Sequence, residues 1–382
     1  MNHQGRATGA SPLRILFFNE GNLGSHILGQ SQLAAALRVG LDATTGVQAR
    51  FAGLTPMGRL SSAAASWPVP GLSGHNLDLR TLRWHVVQSL RARRALEREL
   101  RAYDPAVLHL HTQSIAMLAL GIMRRLPVVL SVDTTVLEWS RMPAWAQARG
   151  TARETAPSRR LERRAFEHAA LVTAWTAWAR QGIEREAPDA NVIQHHPGID
   201  VQRYVPALRA PRERARVLFV GGRFAEKGGG DLLQALNERI GKDVELDLVT
   251  PDEKVQSRAG VTVHRLGASD PELLALYQQA DLLCLPTYGD TNPWVVIEAM
   301  ACGTPVVSTP VGAIPELLGD GRAGVIVPLG DRRALGEAIG ALLGDERRRE
   351  QLGRAGRELC EQRYDARRQF ALLAERMLEL RS

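Results

Sequence analysis

The sequence predicts an α/β protein of two doubly wound, Rossmann-like domains facing a central cleft. Three observations lead there. Short apolar runs alternate with helix-like segments along the chain. Two glycine-rich turns, each between a strand and a helix, lie about 200 residues apart. The length, 382 residues, suits two or three domains. The expected division is a first domain over 12–196 and a second over 197–365, with a terminal helix, 366–382, returning to the first.

Each element can be justified in order. The run 14–19, Arg-Ile-Leu-Phe-Phe-Asn, reads as a buried strand. The turn 20–25 follows, and then a helix over about 30–39. Gly21 and Gly24 let backbone approach a ligand closely, so Gly21, Asn22 and Gly24 are candidate ligand-binding residues; a tight strand-to-helix turn is the plainer alternative. No full G-x-G-x-x-G is present, which argues against a dinucleotide site. Residues 56–78, rich in Gly, Ser and Pro, read as irregular. Residues 82–103 read as an arginine-rich helix, a solvated face that with Trp84 is also compatible with anionic lipid.

The strand 104–112 carries His109 and His111 at alternate positions, so both share one face. Strand 127–133 ends at Asp133. Residues 141–157 read as a mobile surface segment and a helix is expected from about Ser158. A linker follows at 192–206. Its His195 and His196 suggest metal, but no third ligand stands at a useful spacing, so the linker reading is preferred.

The second domain opens on strand 216–220, then Gly221-Gly-Arg-Phe-Ala-Glu-Lys-Gly-Gly-Gly and a helix. A pyrophosphate needs unobstructed backbone N–H groups and fixed cations, and Gly222, Arg223 and Lys227 supply them. Strands follow at 246–250, 261–264 and 281–285, with helix 271–280 before the last. The loop 287–293 carries Asp290. Helix 295–301 carries Glu298, a carboxylate in an otherwise apolar stretch, which needs a polar partner. Strand 304–308, then 311–318 and 324–328, complete the domain.

Composition sets limits. Net charge is +7, almost all of it arginine, with only three lysines, Lys227, Lys242 and Lys254. The basic residues are not interleaved with aromatics as a strand-binding groove requires, so nucleic acid is not an expected partner. Cys284, Cys302 and Cys360 show no C-x-x-C spacing, which fits a reducing cytosol. The first twelve residues lack an apolar core of signal-peptide length, and no apolar run spans a membrane. The expected location is therefore cytoplasmic, with room for peripheral contact at the inner membrane face.

The run 286–307 resembles the acid-x7-acid signature of glycosyltransferase family 4, the retaining enzymes of GT-B fold. The strand Asp104-x-x-x-x-His109-x-His111, the linker Pro197-Gly-Ile-Asp with Tyr204, and the Gly222-Arg223 to Lys227-Gly228 turn are similar to that family's motifs. The resemblance covers most of the chain and is densest over 216–328. Departures stand at Asp290, where the family usually has Glu, at Asn292-Pro293-Trp294, where it often has Phe-Gly and an aliphatic residue, and in the cation loop, shorter by one residue. Pro293 has no N–H to give a donor.

The resemblance implies transfer of a hexose-type sugar from a nucleotide-diphosphate sugar to a glycan or lipid-linked acceptor, as in bacterial polysaccharide synthesis. It implies that Glu298 holds the ribose, Leu266 lies by the base, Asn292 and Trp294 line the donor site, His111 and Asp290 flank the transferred sugar, and Gly21, Asn22, Gly24 and Asp133 face the acceptor. Arg223 and Lys227 would stabilise the leaving diphosphate. With no Asp-x-Asp pair in the chain, neither a metal nor another cofactor is expected. The alternatives are a non-catalytic nucleotide- or glycan-binding protein on this scaffold and a nucleotide-sugar epimerase.

Overall fold

The computed structural model describes residues 12–20, 27–55, 57–68, 79–146, 152–209 and 211–381. Gly21, Asn22 and Gly24 lie outside the described residues.

The first half forms one parallel six-stranded sheet from β1 (Leu13–Asn19), β2 (Val47–Gly53), β3 (Val107–His111), β4 (Val128–Val132), β5 (Leu171–Ala174) and β6 (Val192–Gln194). Its spatial order is β2-β1-β3-β4-β5-β6. Between these strands run α1 (Ile27–Asp42), α2 (Arg59–Ser66), α3 (Arg80–Tyr103), α4 (Gln113–Ala116), α5 (Leu120–Met123), α6 (Val136–Arg141), α7 (Pro143–Ala146), α8 (Ala152–His168) and α9 (Ala177–Glu186). The second sheet contains β7 (Ala215–Val220), β8 (Val244–Val249), β9 (Val261–His264), β10 (Leu282–Leu285), β11 (Val306–Ser308) and β12 (Gly324–Ile326), in the order β12-β11-β10-β7-β8-β9. Its helices are α10 (Gly229–Ala235), α11 (Pro271–Gln279), α12 (Trp294–Ala301), α13 (Ile314–Leu317), α14 (Arg332–Gly344) and α15 (Glu346–Leu359). The chain ends in α16 (Ala366–Glu379).

All strand pairs are parallel, so both faces of each sheet need cover. Strand β1 shows how the sequence provides it. Leu16 and Phe18 join one apolar cluster with Leu108, Leu110 and Phe166, while Leu13, Ile15 and Phe17 join another with Leu37, Phe370 and Leu373. Helix α16 thus packs on the first sheet although it follows the second. A third cluster fills the second half and takes in Met142 and Trp145 from α6–α7, so this arm reaches across to the other sheet.

Two expectations are corrected. The stretch read as irregular contains α2, whose Ser- and Ala-rich sequence offers no apolar period to reveal it. Helix α8 starts at Ala152 rather than near Ser158, because Pro157 is accommodated inside the helix instead of preceding it. Among the described residues no helix is long and apolar enough to cross a membrane.

Candidate functional site

In each sheet the connections reverse direction at one place, between β1 and β3 in the first and between β7 and β10 in the second. Open parallel sheets bind ligands beyond the carboxyl ends of the strands at such points. Beyond β1 and β3 stand Glu20 and His111, and beyond β7 and β10 the glycine-rich turn and the loop bearing Asp290. The two groups meet. Thr291 donates from Oγ1 to Asp133 Oδ2 at 2.6 Å, Ala144 N–H donates to the Tyr288 carbonyl at 2.9 Å, and Trp145 Nε1 donates to Glu226 at 3.2 Å.

The glycine-rich turn brings both expected cations to this junction. Gly228, in a left-handed conformation at φ +76°, caps α10, and a Cβ there would fall 2.0 Å from the Pro286 carbonyl oxygen. Glycine is therefore required to seat the turn against the acid loop. A Cβ on Gly222 meets nothing within 4 Å, which leaves open space beside the turn. Lys227 Nζ donates to the Gly289 carbonyl at 2.9 Å and pairs with the Asp290 carboxylate. Both side chains are largely buried, 17% and 16% exposed. Arg223 pairs with Glu226 at 2.9 Å, and this pair is more open. Both cations thus already meet a carboxylate, and an incoming anion would have to exchange with it.

Glu298 lies one turn into α12 and is 3% exposed. Tyr277 donates to its Oε2 at 2.6 Å and Tyr204 to its Oε1 at 3.3 Å. Burial pushes the carboxyl up to about 7, against the lowering by the two phenols. Burial and the neighbouring Glu298 charge push the Tyr277 phenol up as well. Glu298 therefore faces two tyrosines in this arrangement rather than open solvent.

Trp294, expected at the donor, sits where the two domains meet. It is buried against Trp175 in an edge-on contact with ring centroids 5.9 Å apart, and it belongs to the apolar cluster of the first sheet. His111 continues this aromatic line, stacked on Trp175 at 4.8 Å. His109 is turned into the sheet, with Nε2 2.8 Å from Ser131 Oγ, and burial and the nearby His111 hold its imidazole down at about 3. Leu266 is half-buried after β9, on the same side of the second sheet as its other loops. Among the described residues no group of three or more His, Cys, Asp or Glu is placed to hold a metal ion, His195 and His196 included.

Several residues here escaped the sequence reading. Glu20, buried, accepts from Thr112 Oγ1 at 3.1 Å beside His111. Glu226 ties Arg223 to Trp145. Glu316 of the second domain accepts from the Ala177 and Trp178 N–H groups and from Gln194, at 2.8, 3.1 and 2.8 Å, and so caps helix α9 of the first. Apart from the Arg223–Glu226 pair, their partners lie far away in sequence, so no local spacing marks them.

Comparison with known proteins agrees with this architecture. Residues 29–203 match the model for Glycosyltransferase Family 4, and residues 214–345 that for Glycosyl transferases group 1. The MMP alpha-(1->4)-mannosyltransferase of Mycolicibacterium hassiacum is 36% identical over 172 residues, 42% of this chain and 41% of that protein. The chain aligns with about half the length of the curated relatives it matches. Among solved structures, the sucrose-phosphate synthase of Thermosynechococcus elongatus superposes with a TM-score of 0.73 at 18% identity, covering 96% of this chain and 99% of that one. HepE of Anabaena, solved with UDP-glucose, superposes with a TM-score of 0.66 at 16% identity, covering 96% and 100%. The two parallel sheets are those of the GT-B fold. With a family 4 domain followed by a group 1 domain, the chain belongs to the family 4, group 1 type of glycosyltransferases.

Proposed function

We propose that this protein transfers a hexose-type sugar from a nucleotide-diphosphate sugar to a glycan or glycolipid acceptor, with retention of configuration and without a metal ion. The observation that carries the reading is the placement of Arg223 and Lys227 on one glycine-rich turn, beside open space, at the reversal point of the second sheet. As the glycosidic bond breaks, negative charge grows on the diphosphate. Two cations held by a rigid turn stabilise that charge without reorganising, which is where such sites gain most of their rate. In a metal-dependent enzyme a divalent ion would supply the same charge.

On this reading the donor diphosphate replaces Glu226 at Arg223 and shares Lys227 with Asp290. Asp290 and His111 then lie on either side of the transferred sugar, the first from the second domain and the second from the first. Glu298, with Tyr204 and Tyr277 fixing its carboxyl, is the group for the ribose hydroxyls, and the backbone near Leu266 meets the base. Asp133 faces the acceptor. The named relatives and the UDP-glucose complex of HepE support the class of donor. Contact of the arginine-rich α3 with an anionic membrane surface belongs to the same proposal and would bring the protein to a lipid-linked acceptor.

The test is sugar transfer or donor hydrolysis with UDP-, GDP- and ADP-hexoses, with and without EDTA. Turnover of one donor in EDTA supports the reading. Nucleotide binding with no turnover under any acceptor supports a non-catalytic binder, and donor conversion without acceptor supports an epimerase.

A further inference from the structure

Helix α9 of the first domain begins on a cap that it does not complete itself. The N–H groups of Ala177, Trp178 and Ala179 have no carbonyl partner within the helix. Thr176, the residue before it, meets one of them, its Oγ1 accepting from Ala179 at 3.1 Å. The other two are met by Glu316 of the second domain. Its Oε1 accepts from Ala177 at 2.8 Å and its Oε2 from Trp178 at 3.1 Å. Oε1 also accepts from Gln194 Nε2, at the end of β6, at 2.8 Å. Water serves this role at many helix ends. Here the cap is complete only while the two domains are docked.

Both ends of this contact lead into the cleft. On the first-domain side, Trp175 directly precedes Thr176, and its ring contacts His111, stacked at 4.8 Å, and Trp294, edge-on at 5.9 Å. Trp178 packs on the apolar clusters of both domains. On the second-domain side, Glu316 stands on α13, which follows a turn seated against the acid-bearing loop. Ala313 N–H donates to the Thr291 carbonyl at 3.0 Å. Gly312 is in a left-handed conformation at φ +58°, and a Cβ there would fall 2.1 Å from the Asp290 carbonyl oxygen. A short, tightly packed path thus joins His111 of one domain to Asp290 of the other, and Glu316 is the polar joint in it.

We propose that Glu316 is a positioning residue for sugar transfer: by capping α9 from the second domain, it fixes the spacing of His111 from Asp290. This role rests on the proposed function, which sets those two side chains on either side of the transferred sugar. The chemistry suits the task. A carboxylate has two acceptor oxygens and no donor, so it takes two helix N–H groups at once, and the positive end of the helix dipole strengthens both bonds. A glutamine of the same size keeps one acceptor oxygen and turns an NH₂ group toward the other N–H. Spacing matters because reacting groups must stand about 3–3.5 Å apart, and a displacement of about 1 Å costs about 100-fold in rate.

The test compares the full chain as wild type, Glu316→Gln and Glu316→Ala in sugar transfer or donor hydrolysis with UDP-glucose, GDP-mannose and ADP-glucose, with kcat expressed per folded molecule. It should fall about 10-fold in Glu316→Gln and about 100-fold in Glu316→Ala. Affinity for whichever of UDP, GDP and ADP binds the wild type should stay within about twofold, because the residues proposed to hold the nucleotide all belong to the second domain. Small-angle scattering of the free protein should show a larger radius of gyration in both variants. Glu316→Gln keeps one helix bond and the side-chain volume, so it reads the effect even where Glu316→Ala fails to fold. A kcat in Glu316→Gln within about threefold of wild type, with only the melting temperature lowered, marks an ordinary helix cap and overturns the inference. So does a raised kcat, which marks a brake on domain opening, or a loss of nucleotide affinity in step with kcat, which marks damage to the donor half; the glycosyltransferase reading stands in each case. Wild-type protein that turns over none of the three donors overturns the functional reading, and this role with it.

Discussion

Replacing Lys227 with alanine should do two separable things, and the structure gives the size of each. Lys227 is mostly buried and holds both Asp290 and the Gly289 carbonyl. Its removal leaves the Asp290 carboxylate without its cation. Losing one partner of a fully buried pair costs about 3–5 kcal/mol, and a pair with this much exposure should cost less, about 1–3 kcal/mol. Removal also deletes one preorganised cation from the leaving diphosphate, worth about 10²–10³-fold in turnover, or about 2.7–4 kcal/mol. Urea unfolding reads the first effect and single-turnover sugar transfer by the folded fraction reads the second. In Lys227→Ala/Asp290→Asn the stability should return, because no charge is left unpaired, while turnover stays low. Folded Lys227→Ala with turnover within about threefold of wild type would refute the argument, as would a double variant that regains turnover.

Two further predictions follow from neighbouring carboxylates. Glu226 occupies Arg223 in the free protein, and the pair is about one-third exposed, 37% and 32%. Its discounted strength is about 0.2–1 kcal/mol, so Glu226→Gln should raise nucleoside-diphosphate affinity by about 1.4- to fivefold in a calorimetric titration; weaker binding would show that Glu226 helps rather than competes. Glu162 on α8 is fully buried, accepts from the Val136 N–H at 2.8 Å, and has its carboxyl pushed up to about 8 by burial. A raised acid favours the protonated folded state, so its stabilisation is complete below the unfolded value of about 4.5 and is lost as pH rises through about 8. Glu162→Gln, which keeps the acceptor, should therefore gain in melting temperature over wild type as pH goes from 5 to 8.5, and a gap that narrows over that range contradicts the assignment.

What the sequence reveals here is what is local. The β7 turn is legible because its glycines and both cations lie within eight residues, Gly221–Gly228, and the strand before it is a plain apolar run. Glu298 stands out because a charge in an apolar helix is conspicuous, but the tyrosines that hold it lie 94 and 21 residues away. Thr291 and Asp133 are 158 residues apart, and Glu316 lies 139 residues from the helix end it caps. No spacing rule reaches across such distances. The setting of Trp294 is hidden for a related reason: its burial is decided by Trp175 of the other domain. In sequence Glu162 is one more acid among the arginines of α8, and its burial depends on packing against α6, whose Val136 N–H it accepts from.

The central claim is that Arg223 and Lys227 form a metal-independent site for a nucleotide diphosphate. Its most direct test is calorimetric titration of the full chain with UDP, GDP and ADP, with and without EDTA, on wild type and Lys227→Ala. The account predicts selective binding of one nucleotide, unchanged by EDTA and clearly weakened in the variant. Binding of none of the three, or binding that EDTA abolishes and Lys227→Ala leaves intact, would contradict it.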